Sequence, residues 1–162
     1  MIDNMRDYDR IGAVHYAQSW ALSRNPNYFD FSDFGGDCTN FISQCLIAGG
    51  GVMYYDKIKG WFYENSYNRS ASWSSVFYFE NFILNNMTKG PVGHIENVYN
   101  LEIGDLIQLR QGLKDFNHTV IISKIENGEI YVCAHSDDSL NRKLNDYYFL
   151  ELQGIKIEGI LI

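Results

Sequence analysis

Basic residues are scarce in this 162-residue chain, with 13 Lys and Arg against 20 Asp and Glu and a formal charge of −7. Binding nucleic acid requires clustered Lys and Arg to neutralise phosphates, and no such cluster occurs, so no nucleic-acid partner is expected. Cysteine is scarce too, and three copies are an odd number, so at least one cannot pair within the chain. Cys38 and Cys45, if they share a helix, are separated by about 10.5 Å of helical rise. That exceeds the roughly 7 Å Cα limit for a disulfide. The opening "MIDNMRDYDRIGAV" lacks a basic stretch followed by an apolar core, so it does not read as a secretory signal. As written, the chain is expected in the cytoplasm, or as a domain of an exported bacterial protein. The charge-free segment from Cys38 to Tyr55 is interrupted by Thr, Asn, Ser, Gln and three consecutive glycines. It is therefore no candidate for membrane insertion.

What the chain does contain is apolar mass, 46% of residues, and many aromatics, including twelve Tyr and ten Phe. This suffices for one well-packed domain and is short for two, so residues 1–162 are read as a single domain. A helix is expected from about Tyr8 to Arg24, with Ile11, Val14, Tyr16, Ala17, Trp20 and Ala21 at helical spacing and Asn25-Pro26 as the stop. In "DFGGDCTNFISQCLIAGGG", Asp37 offers a carboxylate cap. Cys38, Phe41, Ile42, Cys45 and Leu46 then fall at i, i+3, i+4, i+7 and i+8, and Gly49 to Gly51 end the helix. The region from Val52 to Arg69 reads as irregular. A further helix is expected from about Ser74 to Asn86, with Val76, Phe77, Phe79, Ile83 and Leu84 spaced to bury one face.

Strands dominate the second half. "NLEIGDLIQLR" feeds one, "KIEGILI" is another, and "HTVIISKIENGEIYVCAHSDD" reads as a hairpin about Asn127-Gly128, the preferred pair for a type I′ turn. With Glu126 opposite Glu129, the idealised register places Ile122 opposite Cys133, Val120 opposite His135 and His118 opposite Asp137. His118 would then lie about 5 Å from Asp137 and about 7 to 8 Å from His135. Helices first and an antiparallel sheet after make an α+β domain.

A cysteine at a helix N-terminus is placed where unsatisfied N–H groups and the positive end of the helix dipole stabilise the nucleophilic thiolate. An imidazole nearby would act as base and then as acid, and His118 opens a strand. His135 or Asp137 could orient the His118 ring as a third member. The Cys38 N–H is the natural first oxyanion donor. Cys45 and Cys133 fall on apolar faces and read as core, and His15 and His94 as structural or exposed. A zinc site of Cys38, His118 and His135 lacks any CxxC, HxxxH or HxE spacing, so neither metal nor other cofactor is expected.

"GGDCTNFISQCL", preceded by "AVHYAQSWALSRNPNY" and followed by "NHTVII" and "AHSDDSLNRKL", resembles the putative amidase domain family. That family belongs to the papain-like cysteine hydrolases, alongside the CHAP and NlpC-like cell-wall peptidases. The resemblance runs from about Arg10 to the C-terminus. It implies a papain-like fold, with N-terminal helices packed on a C-terminal antiparallel sheet. It also implies Cys38 as nucleophile, His118 as base and His135 as the residue that orients the base. Tyr28 resembles a tyrosine that NlpC-like enzymes place shortly before their nucleophile. A papain-like enzyme has Gln six residues before its cysteine, where this chain has Ser32. Asn40 and Gln44 are therefore candidates for the second oxyanion donor, with Asp37 and Tyr28 beside them at the oxyanion or substrate side. The function so implied is hydrolysis of an amide through a thioester, with peptidoglycan or a related peptide amide as substrate. A small-molecule amidase and a noncatalytic peptide- or glycan-binding module are the alternatives.

Overall fold

The computed structural model describes residues 4–162. Residues 1–3, part of the segment inspected for a signal, lie outside the described residues. Two helices come first, α1 (Arg10–Trp20) and α2 (Cys38–Ala48), after a short strand β1 (Met5–Arg6). A small hairpin follows, β2 (Tyr63–Asn65) with β3 (Asn68–Arg69), and then the helices α3 (Ala71–Ser74) and α4 (Val76–Asn85). The remainder is β4 (Gly90–Glu96), β5 (Leu106–Arg110), β6 (His118–Glu126), β7 (Glu129–Ala134), β8 (Ser139–Lys143) and β9 (Glu151–Leu161). The expected α+β arrangement is present.

The main sheet runs β1-β9-β5-β6-β7-β8, and β4 pairs with the other edge of β9. Every pairing is antiparallel. Side chains alternate across this sheet. Leu106, Ile121, Cys133 and Ile155 meet the helices in one apolar cluster with Ala13, Ala17, Phe41, Ile42, Cys45 and Leu46. Ile107, Leu109, Val120, Ile122, Val132 and Ala134 form a second cluster on the opposite face with Leu144 and Tyr147. Alanines at 13, 17 and 21 are fully buried and let α1 lie close to α2. The sequence expectation differs at two helix positions, because Ile11 and Phe77 are solvent-exposed. Phe82 takes the inward place on α4 instead.

Helix α2 begins at Cys38 as expected, and it ends where Gly49 and Gly50 return their N–H groups to the Cys45 and Ile47 carbonyls. The hairpin turn also forms, with φ of 52° at Asn127 and 75° at Gly128. Its register then departs from the ideal. Glu126 faces Glu129, but an irregularity between Ile122 and Lys124 leaves Ser123 unpaired. From there Ile121 faces Cys133, and Ile122 faces Val132. The expected pairings of Ile122 with Cys133, Val120 with His135 and His118 with Asp137 are therefore corrected by one residue. A bulge does this because two residues on one strand oppose one on its partner. Strands β4 and β8 and the β2–β3 hairpin carry weaker sequence patterns than their neighbours and are visible only in the structure.

Candidate active site

Cys38 is the first residue of α2. The first helical bond runs from the Phe41 N–H to the Asp37 carbonyl, so the first-turn N–H groups of Cys38, Thr39 and Asn40 have no partner within the helix. The Asp37 side chain does not cap them, contrary to the expectation. It turns the other way, so its Oδ1 accepts the Phe31 N–H at 2.8 Å and the Asn40 amide at 2.9 Å, and its Oδ2 meets His135 Nδ1 at 2.6 Å. The electropositive helix start is thereby left to the cysteine.

The sulfur lies where the sheet stops. Continued past Ile121 and Cys133, the ladder would give the Thr119 N–H to the His135 carbonyl, but β7 leaves the sheet after Ala134. The Thr119 N–H instead interacts with the Cys38 sulfur. Burial pushes the Cys38 thiol up. The Thr119 N–H and the hydroxyl and N–H of Thr39 pull it back, while the charge of Asp37 adds to the rise. The thiol is thus held in its neutral form at rest.

His118 is joined to Thr119 through the peptide that faces the sulfur, so the expected base is the chain neighbour of the residue whose amide reaches the thiol. The ring shares a face with its cross-strand partner Leu109 and stands 6.0 Å from the Tyr147 ring. Its Nε2 is buried without a hydrogen-bond partner among the described residues. Burial pulls the imidazole down to a pKa of about 4, although nearby Asp137 raises it and Arg142 lowers it further. A neutral imidazole with a free nitrogen is the form a general base requires.

A family model described as "Putative amidase domain" matches residues 7–158. The chain belongs to that family. Two relatives from Bacillus subtilis (strain 168) are uncharacterized proteins. YhbB is 37% identical over 139 residues, covering 83% of this chain and 43% of that protein. YjcM is 29% identical over 140 residues, covering 85% of this chain and 33% of that protein. The chain spans less than half the length of these curated relatives. No solved structure matches it.

Within this amidase-family domain, the expected third member occupies a different place. His135 is buried with its ring stacked 4.0 Å from that of Phe41, and its nitrogens meet Asp37 Oδ2 at 2.6 Å and the Trp20 carbonyl at 2.8 Å. Both are thus taken by groups other than His118. Asp137 is exposed and pairs with Arg142 at 2.8 Å. It is the carboxylate whose charge His118 senses.

The oxyanion candidates separate clearly. Asn40 donates to the Phe29 carbonyl and to Asp37, and accepts from the Trp73 indole at 2.8 Å. Gln44 accepts from the Tyr16 hydroxyl at 2.6 Å. Ser43 accepts from the Trp61 indole and donates to the Trp73 carbonyl. The polar residues of "CTNFISQC" therefore fasten α2 to the Trp61–Trp73 pair and to α1. Tyr28 is half-buried, stacked on Trp73 and beside Tyr63. Ser32 is engaged with Arg24 and Asp30. The first-turn N–H of Cys38 is thus the expected oxyanion candidate left without a hydrogen-bond partner among the described residues.

Three contributors escaped the sequence reading. Arg24 stands among Asp30 at 3.2 Å, Asp37 at 3.6 Å and Asp138 at 2.9 Å. Ser136 accepts the Asp37 N–H at 2.8 Å. Thr119 lends its amide. Arg24 and Ser136 act across large sequence separations and carry no local signal, while Thr119 could have been found only with the bulge known. The glycines before the cysteine also gain a reason, since Gly35 and Gly36 adopt φ of 95° and 105°. A Cβ on Gly36 would stand 3.2 Å from the Ser136 hydroxyl.

Proposed function

We propose that this amidase-family domain is a cysteine-dependent amide hydrolase with Cys38 as nucleophile and His118 as general base. The observation that carries the reading is a helix-start thiol whose sulfur faces the first peptide of β6, with a buried neutral imidazole bearing an unpartnered nitrogen on the residue that opens that strand. His118 takes the thiol proton as Cys38 attacks the carbonyl carbon, giving a tetrahedral intermediate whose oxyanion faces the uncapped first turn of α2. Collapse breaks the C–N bond, and the imidazolium returns its proton to the leaving amine. Water, deprotonated by His118, then cleaves the thioester to release the acid. Because burial raises the thiol and lowers the imidazole, the resting pair is thiol and neutral imidazole, and the proton moves during attack.

A helix-borne cysteine, a histidine that opens a strand and an antiparallel sheet support a papain-like arrangement of a single domain. Peptide amides of the peptidoglycan type are the proposed substrate. The experiment compares the protein with its Cys38→Ala variant on purified peptidoglycan and on small peptide amides. New amino groups released only by the unsubstituted protein are the expected result. Equal release by both would overturn the enzyme reading. Release from small amides alone would reassign the substrate.

A further inference from the structure

Asp37 immediately precedes the proposed nucleophile, and a free carboxylate there opposes thiolate formation. Its surroundings define a charge balance. Around it stand the carboxylates of Asp30 and Asp138, and a single guanidinium, Arg24, serves all three. His135 is the other group in contact with the Asp37 carboxylate that can carry a positive charge. The Trp20 carbonyl can only accept, so Nε2 of His135 must carry a hydrogen to make its 2.8 Å contact. A second hydrogen is then needed between Nδ1 and Asp37 Oδ2, 2.6 Å apart. Wherever that hydrogen sits, Asp37 and His135 together are neutral.

The same residues shape the backbone. Ser136 and Asp137, which follow His135, both have positive φ, 60° and 81°, a conformation that non-glycine residues adopt only when their surroundings impose it. The Asp37 N–H to Ser136 Oγ bond and the carboxylate to His135 contact clamp this turn to the residue before Cys38. Phe41, one turn into α2, supports the ring from below.

We infer that His135 is a positioning residue for the nucleophile: it offsets the charge of Asp37 and fixes the Asp37–Cys38 junction, so that Asp37 opposes the helix start less than a lone carboxylate would. This rests on Cys38 as the reactive thiol, but not on hydrolysis. It assigns His135 a role through Asp37 rather than through His118.

The test measures the rate of Cys38 alkylation by iodoacetamide across pH, with no substrate present, in the full chain. His135→Gln is expected to lower the rate below the thiol titration by about tenfold, one unit in the thiol midpoint. Adding Asp37→Asn to His135→Gln is expected to restore the rate, because the charge to be neutralised has gone. Failure of the second substitution to restore it would overturn the inference and leave His135 a buried structural residue. If either variant does not fold, nitrogen-15 histidine NMR of the unsubstituted protein decides. Hydrogen on both His135 ring nitrogens at neutral pH, or one shared with Asp37, is expected, and an unprotonated Nε2 would overturn it. Amide hydrolysis is absent from every arm, so failure of the substrate assignment leaves this result intact.

Discussion

Replacing Asn40 by Ala separates a structural anchor from an oxyanion donor. The side chain is almost wholly buried, and its loss leaves the Phe29 carbonyl and the Trp73 indole N–H without a partner and removes one of the two bonds to Asp37 Oδ1. Each neutral bond lost in the interior is worth about 1 kcal/mol and the one to the carboxylate about 2 kcal/mol, so the variant should lose about 4 kcal/mol. That is about a thousandfold in the folding equilibrium, or a fall in melting temperature of about 8 to 16 °C for a chain of this size. Urea unfolding monitored by tryptophan fluorescence measures it directly, since Trp61 and Trp73 are both buried beside the site. Asn40→Asp preserves shape and the Trp73 contact but sets a second carboxylate against Asp37, so it should be at least as severe. A loss below about 1 kcal/mol in Asn40→Ala, together with loss of hydrolysis, would refute this account and make Asn40 the oxyanion donor.

Acid should weaken the fold through His118. Its folded pKa of about 4 lies below the ordinary value of 6.5, so the unfolded ring binds a proton first as pH falls. The contribution is complete above about pH 6.5 and is lost as pH drops toward 4. By pH 4.5 the loss is of order 2.5 kcal/mol, and urea midpoints of the protein against its His118→Gln variant isolate it. Hydrolysis should rise with pH through the same low midpoint, because only the neutral ring can act as base. Asp105→Ala should cost about 3 to 5 kcal/mol, since this buried carboxylate accepts from Arg10 at 2.6 Å and from the Ile157 N–H at 2.9 Å, tying α1 to β9. Calorimetry would show it as a melting shift, and an unchanged melt would refute the tie. Gly36→Ala should destabilise more than Gly35→Ala. Both incur backbone strain of about 1 to 2 kcal/mol, but only Gly36 has the Ser136 hydroxyl in the way, whereas nothing lies near a Cβ on Gly35.

What could be read from the residues was local. The apolar period that makes α2, the glycines that end it and the Asn127-Gly128 turn depend on neighbours a few positions apart. The candidate nucleophile followed from the same logic, since Cys38 stands at the first position of its own helix. The turn fixed only the near end of the hairpin. A single unpaired residue at Ser123 moved every later pairing by one, and with it the argument that set His118 against Asp137. Nothing in the chain near Ser123 announces a bulge, because it answers to packing on both faces of the sheet.

Asp37 shows the same division. By sequence it is a helix cap, the ordinary role of an aspartate before an amphipathic run. By tertiary structure it is a partner of His135, 98 positions away, and of Arg24 from beyond α1. Sequence by itself determined the helices α1, α2 and α4, the β6–β7 hairpin and which sulfur heads a helix, because backbone preference and periodicity are properties of neighbouring residues. Only the tertiary structure decided which carboxylate meets which cation and which amide faces the sulfur. A buried charge accepts whichever partner the packing of distant elements brings within about 3 Å.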